Sequence, residues 1–188
     1  MGSKAKHGYS AFCRQDFVGI DYGMIDPETN DPLPDFYAGI LWSQLMGTGV
    51  IRAISSADQS VRVYAHCTPD APNSGESTNG ALSVLLLNLA SAGAQTTKVR
   101  LEGIAGCDAV SCVRMEWRLR GPNGTNATQV ALNGGILALD ASGRVPPLPG
   151  REVGATPRPG SPQHVIDLPG ATVAFLRFKG AAQSLGCR

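Results

Sequence analysis

Fifteen carboxylates are available for chemistry. They crowd most densely at Asp21, Asp26, Glu28, Asp31 and Asp35. Gathered carboxyl groups can act as an acid pair, which a retaining glycoside hydrolysis needs about 5–5.5 Å apart. They can also ligate a cation. The spacing of a calcium loop is absent here, and no Glu closes the loop at the right position. Prolines at 27, 32 and 34 interrupt the stretch. It therefore reads as a solvated loop, with Asp35 capping the helix that follows.

The other reactive types give less. His66 and Cys67 are neighbours on a predicted strand, so their side chains leave on opposite faces and cannot share a metal. His66 reads as a surface or interface residue. His7 and His164 lie in weakly patterned segments. No Ser-His-Asp or Cys-His arrangement stands out. The five cysteines, Cys13, Cys67, Cys107, Cys112 and Cys187, include no CxxC, so neither a zinc ribbon nor a thioredoxin motif is supported. Asn133-Gly134-Gly135 suits a hairpin turn better than a phosphate loop. No metal and no cofactor is expected.

Arg114, Arg118 and Arg120 share a predicted strand face with Glu116. They would bind an acidic glycan or form a solvated sheet face. Sixteen Lys and Arg against fifteen Asp and Glu favour the solvated face. The same balance speaks against a nucleic-acid partner. Asn123-Gly-Thr and Asn126-Ala-Thr are overlapping glycosylation sequons. With Cys187 next to last, they tilt the reading towards an oxidising compartment. The opening MGSKAKHGYSAFC has no apolar core of a signal peptide, and no apolar run reaches the length of a membrane span.

The elements that must carry these residues follow from pattern. Charged residues are 16% of the chain, against about 25% in an average soluble domain. Gly and Pro number 23 and 13, which points to strands and tight turns. Tyr9–Val18 reads as one short strand. Asp35–Met46 is the one convincing helix, with Phe36, Ile40, Leu41, Leu45 and Met46 near one face and Gly47 and Gly49 ending it.

After Thr48 the period becomes two. Val61, Val63, Ala65 and Cys67 alternate with Arg62, Tyr64 and His66. Val113, Met115, Trp117 and Leu119 alternate with Arg114, Glu116, Arg118 and Arg120. Each predicts a half-buried strand with one wet face. Ala81–Leu89 is apolar on both sides and predicts a central strand. Further strands are expected at Val50–Ile54, Thr96–Leu101, Thr128–Leu132, Gly135–Leu139, His164–Asp167 and Thr172–Phe178. Val145–Pro162, with six prolines, predicts a long surface loop.

The fold class is thus mostly β, an antiparallel sandwich from 48 to 188. Residues 1–47 hold a strand, a loop and a helix, which cannot fold alone. A strand followed by a helix is the unit of a (β/α)8 barrel, and this part looks like the last such unit.

Seven words carry a resemblance. They are CRQDFVGIDYG (Cys13–Gly23), DPLPDFYAGILWSQLMG (Asp31–Gly47), VRVYAHCT (Val61–Thr68), LLLNL (Leu85–Leu89), RGPNG (Arg120–Gly124), ALNGGIL (Ala131–Leu137) and PPLPG (Pro146–Gly150). In that order, across Phe12 to Cys187, the chain resembles the heparanase-like glycoside hydrolases of family 79.

The resemblance implies a (β/α)8 barrel carrying a C-terminal β-sandwich. It implies retaining cleavage of glucuronosyl linkages in acidic polysaccharides or proteoglycan glycans. Both essential glutamates would lie upstream of this chain, so no catalytic residue is expected in it and the chain alone is expected to be inactive. Lys4–Gly8 would be the tail of the helix before the eighth strand. Gln15 and Tyr22 match substrate contacts at that strand's end. Asp21 stands where the family has asparagine, and Ile20 where it has glycine; a carboxylate there would repel a uronate.

Cys67 and Cys187 match the family pair that ties an early sandwich strand to the C-terminus. Cys107 and Cys112 would close a small loop, which leaves Cys13 as a buried thiol on the barrel strand. The partners implied are a glucuronate-containing polysaccharide, the missing barrel segment and a membrane periphery. The compartments implied are extracellular or lysosomal-vacuolar. The competing reading is a non-catalytic glycan-binding or structural sandwich. Segment 9–47 argues against it, because a free-standing sandwich has no use for an orphan strand and an apolar helix.

Overall fold

The computed structural model describes residues 1–20, 22–56, 60–69, 80–104, 113–124, 126–154, 164–179, 181 and 187. Among the described residues two helices, α1 (Gly2–Ala5) and α2 (Pro34–Leu45), precede ten strands. These are β1 (Val50–Ile51), β2 (Val61–Cys67), β3 (Leu82–Asn88), β4 (Thr97–Leu101), β5 (Val113–Arg120), β6 (Ala131–Leu132), β7 (Gly135–Ile136), β8 (Arg151–Gly154), β9 (His164–Leu168) and β10 (Thr172–Phe178). Eight form one antiparallel sheet in the order β1-β2-β3-β10-β5-β6-β7, with β8 also on β5. β4 and β9 pair as a second antiparallel sheet. The fold is mostly β and sandwich-like, as expected. Among the described residues no helix is long and apolar enough to cross a membrane.

Strand alternation gives the large sheet two apolar faces. Val61, Ala65, Leu82, Val84, Leu86, Ala174, Leu176 and Phe178 point one way and meet Ile166 and Leu168 of β9. Leu85, Trp117, Leu119 and Phe175 point the other way and meet Tyr37, Leu41 and Leu45 of α2. Those three helix residues are spaced by four and lie one above another. β3 and β10 are buried on both sides because they sit at the centre of the sheet. Each large side chain so buried stabilises by roughly 1.5–3 kcal/mol.

Two expected wet faces are covered. His66 of β2 is 3% exposed: α2 lies over it, its Nδ1–H donates to Gly47 O at 2.6 Å, and its ring meets the edge of Trp42. On β5, Arg114 is 4% and Glu116 0% exposed, because β9 lies over that face. The solvated-face reading of the Arg114, Glu116, Arg118 strand is therefore overturned. Arg114 Nε and Nη2 each lie 2.7 Å from Glu116 Oε1, and Arg118 Nε lies 2.8 Å from Oε2. Arg114 Nη1 lies 3.2 Å from His164 Nδ1, and Arg118 Nη1 donates to Asp167 O at 2.8 Å. The charges tolerate burial because they pair and hydrogen-bond one another. Arg120 stays exposed and donates to Ala92 O at 3.0 Å.

The resemblance words now have physical roles. In ALNGGIL, Asn133 (φ 50) and Gly134 (φ 96) make the β6–β7 turn, the backbone a two-residue hairpin requires. Asn133 also accepts from Arg118 N at 3.0 Å and donates to Glu116 O at 3.1 Å. In PPLPG, Leu148 O accepts from Trp117 Nε1 at 2.9 Å, and a Cβ on Gly150 would sit 2.6 Å from the Trp117 ring. This segment is followed by β8, which the expected 145–162 loop missed. Prolines bracket those four residues in sequence, but Arg151–Gly154 contain none and are free to pair with β5. Cys67 and Cys187 form the expected disulfide across 120 residues, Cα–Cα 5.4 Å. Cys107 and Cys112 lie outside the described residues.

Three expectations about the first 47 residues change. Tyr9–Val18 forms no strand; it carries a single bridge, Val18 to Ile25. A parallel strand needs neighbours for its backbone groups, and none flanks it among the described residues. Cys13 is accordingly free and exposed, not buried. Asp35 is not the N-cap: Leu33 is, Pro34 follows, and Asp35 falls in the first helical turn, where it still complements the helix dipole.

Candidate substrate-contact site

The loop that holds the candidate contacts is folded by its own backbone. Met24 N and Ile25 N donate to Phe17 O at 3.1 and 2.9 Å, Gly23 N to Ile20 O at 2.8 Å, and Leu33 N to Met24 O at 2.9 Å. The last bond delivers the chain to Pro34 and α2. Phe17 leans on Phe36 of α2 with ring centroids 6.2 Å apart. Gly23 is buried, and a Cβ there would come within 3.1 Å of both Asp16 Oδ1 and Ile20 O. That close approach explains a glycine after Tyr22.

Tyr22 is 60% exposed, and Gln15 is exposed as well. Both present polar groups to solvent from one loop. Asp21, the third expected contact, lies outside the described residues. Arg14 reaches the backbone of both contacts. Its Nη1 donates to Gln15 O at 3.4 Å and its Nη2 to Tyr22 O at 2.6 Å. Nη2 also pairs with Asp35 Oδ2 at 2.7 Å. The only sequence signal was an arginine beside Gln15 and a carboxylate opening a helix.

Asp26 Oδ1 accepts from Glu28 N and Thr29 N at 2.8 and 2.9 Å. The bonds from Thr29 and Glu28 hold its carboxyl below the usual range. This is a self-closed turn. Among the described residues no three His, Cys, Asp or Glu side chains are grouped to hold a metal ion. Asp16 Oδ1 is buried with no hydrogen-bond partner among the described residues.

A second perturbed carboxylate lies in the sandwich. Burial pushes Glu116 up, but the hydrogen bond from Arg118 and the charges of Arg114 and Arg118 hold it below its ordinary value. Burial, then the charge of Arg114, holds His164 below its own. Neither opens to a cleft, so both read as structural. Asn123 and Asn126 are exposed beside the turn after β5.

The chain is 34% identical over 148 residues to baicalin-β-D-glucuronidase of Scutellaria baicalensis, covering 75% of this chain and 25% of that protein. It is 35% identical over 89 residues to heparanase-like protein 2 of Arabidopsis thaliana, covering 47% of this chain and 15% of that protein. The chain is a homologue of the heparanase-like proteins. It spans a quarter or less of these two relatives. No family model matches the chain. In fold, it superimposes on an arabinose-bound family 51 α-L-arabinofuranosidase with TM-score 0.50 at 10% identity, over 85% of this chain and 22% of that one. Heparanase-like homology and a sandwich-like fold thus coincide.

Proposed function

We propose that the chain is the C-terminal part of a heparanase-like retaining glucuronidase. In this reading residues 1–47 end a (β/α)8 barrel and residues 48–188 form its sandwich. The observation that carries it is the 34% identity over 75% of the chain to a β-D-glucuronidase. Support comes also from α2, which is apolar almost all round, as helices between two layers are. It buries Tyr37, Leu41 and Leu45 on the sheet and leaves Phe36, Ile40 and Trp42 half-buried. The missing barrel is the partner that would cover them.

The substrate class is a glucuronate-containing glycan. Gln15 and Tyr22 supply hydrogen bonds to the sugar, and Asp21 modulates preference for its carboxylate. The acid/base and nucleophile, which must lie about 5–5.5 Å apart, belong to the barrel outside this chain. Asn123 and Asn126 are proposed glycan acceptors and Cys107–Cys112 a second disulfide. The Cys67–Cys187 bridge supports an extracellular or vacuolar setting, with peripheral membrane association carried by the parent.

The test is direct. The purified 188-residue chain is expected to release no nitrophenol from p-nitrophenyl β-D-glucuronide. In the same sample, the glucuronide shifts the Tyr22 and Gln15 NMR signals and a β-glucoside shifts them less. Turnover by the chain alone would overturn the absence of the catalytic pair. No shift at Tyr22 or Gln15 would overturn their role as contacts.

A further inference from the structure

Gln15 and Tyr22 are exposed, and neither side chain is fixed by packing. One guanidinium ties the backbone of both. Arg14 Nη1 and Nη2 reach Gln15 O and Tyr22 O at 3.4 and 2.6 Å, and Nη2 also meets Asp35 Oδ2 at 2.7 Å. Asp35 stands in the first turn of α2. That helix is anchored along its length by buried Tyr37, Leu41 and Leu45. Its far end is anchored by His66 Nδ1 donating to Gly47 O and by Gly47 N donating to Cys67 O at 2.9 Å.

We infer that Arg14 is a positioning residue, which holds the Gln15–Tyr22 loop in register with α2 so that both side chains meet the same sugar. The inference rests on the proposed reading of the site. Arginine suits the task because its planar fork serves two carbonyls and a carboxylate at once, which an ammonium cannot match. Its charge is already engaged by Asp35, so it acts through geometry and not as the partner of a uronate. The loop's backbone bonds close the turn at Gly23, Met24 and Ile25; the Tyr22 carbonyl is held by Arg14.

The test uses the 188-residue chain labelled with 3-fluorotyrosine, with the Tyr22 line assigned by Tyr22→Phe. Amide exchange and 19F spectra are recorded with and without p-nitrophenyl β-D-glucuronide. Arg14→Met should raise exchange at 23–25 about tenfold, the size of one lost charge-assisted bond. It should also move the Tyr22 line and weaken the glucuronide-induced shift at least about fivefold, with β3 and β10 amides unchanged. Arg14→Lys should restore part of each effect. Unchanged exchange and an unchanged Tyr22 line in Arg14→Met would overturn the inference.

Loosening without any glucuronide shift in the unsubstituted chain would leave Arg14 as the anchor and sink the glucuronide reading instead. If Arg14→Met also loses β3 and β10 protection, Asp35→Asn reads the same tie. A smaller rise confined to 23–25 supports the inference, and no rise overturns it.

Discussion

The strand faces of β2 and β5 and the segment 9–18 are made of similar residues: aromatics, small apolar groups and single charges. Their fates differ. On β2 and β5 several residues that alternation aimed at solvent are covered, from His66 under α2 to Glu116 among its arginines. In 9–18, Tyr9, Phe12, Phe17 and Val18 are 61, 51, 59 and 48% exposed, and the N–H groups of 10–18 donate no backbone hydrogen bond among the described residues. Composition alone therefore does not decide burial; the presence of a second layer does. The sandwich supplies its own second layer, while among the described residues none covers 9–18.

That contrast can be broken at its strongest point first. The Cys67–Cys187 bridge closes 120 residues and takes up to about 4–5 kcal/mol of freedom from the unfolded chain. Cys187→Ser should lower unfolding free energy by that order in urea titration. It should leave the rapid proteolysis expected at Phe12 and Phe17 unchanged. Equal slowing or hastening at both regions would mean they fold as one unit.

Next in size is the buried ion cluster. Glu116→Gln removes the one anion that Arg114 and Arg118 share, and Arg151 Nη2 also lies 3.6 Å from it. Leaving buried arginines uncompensated should cost about 3–5 kcal/mol, read by the same titration. A loss under about 1 kcal/mol would return this face to the solvated class. An apolar replacement of the whole cluster should recover much of the loss, because paired burial is itself expensive.

A smaller effect reports on the cover of β5 through pH. Above about pH 6.5, the ordinary value for His164, folded and unfolded chains both carry a neutral imidazole. Below it the unfolded chain takes the proton first, because burial and Arg114 hold the folded ring's affinity down. Stability should therefore fall as pH drops below about 6.5. Glu116, also depressed, adds a loss of the same sign below its ordinary 4.5. His164→Gln should flatten the upper part of the curve and leave the lower part. An identical curve in the variant would place the titrating group elsewhere.

Much of the sandwich was legible in the sequence because strands obey a period of two and turns use few residue types. Val61–Cys67, Leu82–Asn88 and Thr172–Phe178 appear where alternation and apolar runs put them. What alternation cannot tell is whether the polar face meets water or another layer. Arg114-x-Glu116-x-Arg118 reads as wet by pattern and is dry because its charges neutralise one another. β8 was hidden by surrounding prolines. At the candidate site, Gln15 and Tyr22 came from resemblance alone, since two exposed polar residues carry no pattern of their own. Arg14 could not be singled out, because its partners are two carbonyls and a carboxylate 21 positions away.

Amide hydrogen exchange across the whole 188-residue chain tests the contrast most directly. The account predicts slow exchange in β3, β5 and β10 and near-free exchange at residues 10–18. Protection of 10–18 comparable to that of β3 in a monodisperse sample would contradict it, since the segment would then have found its second layer within this chain.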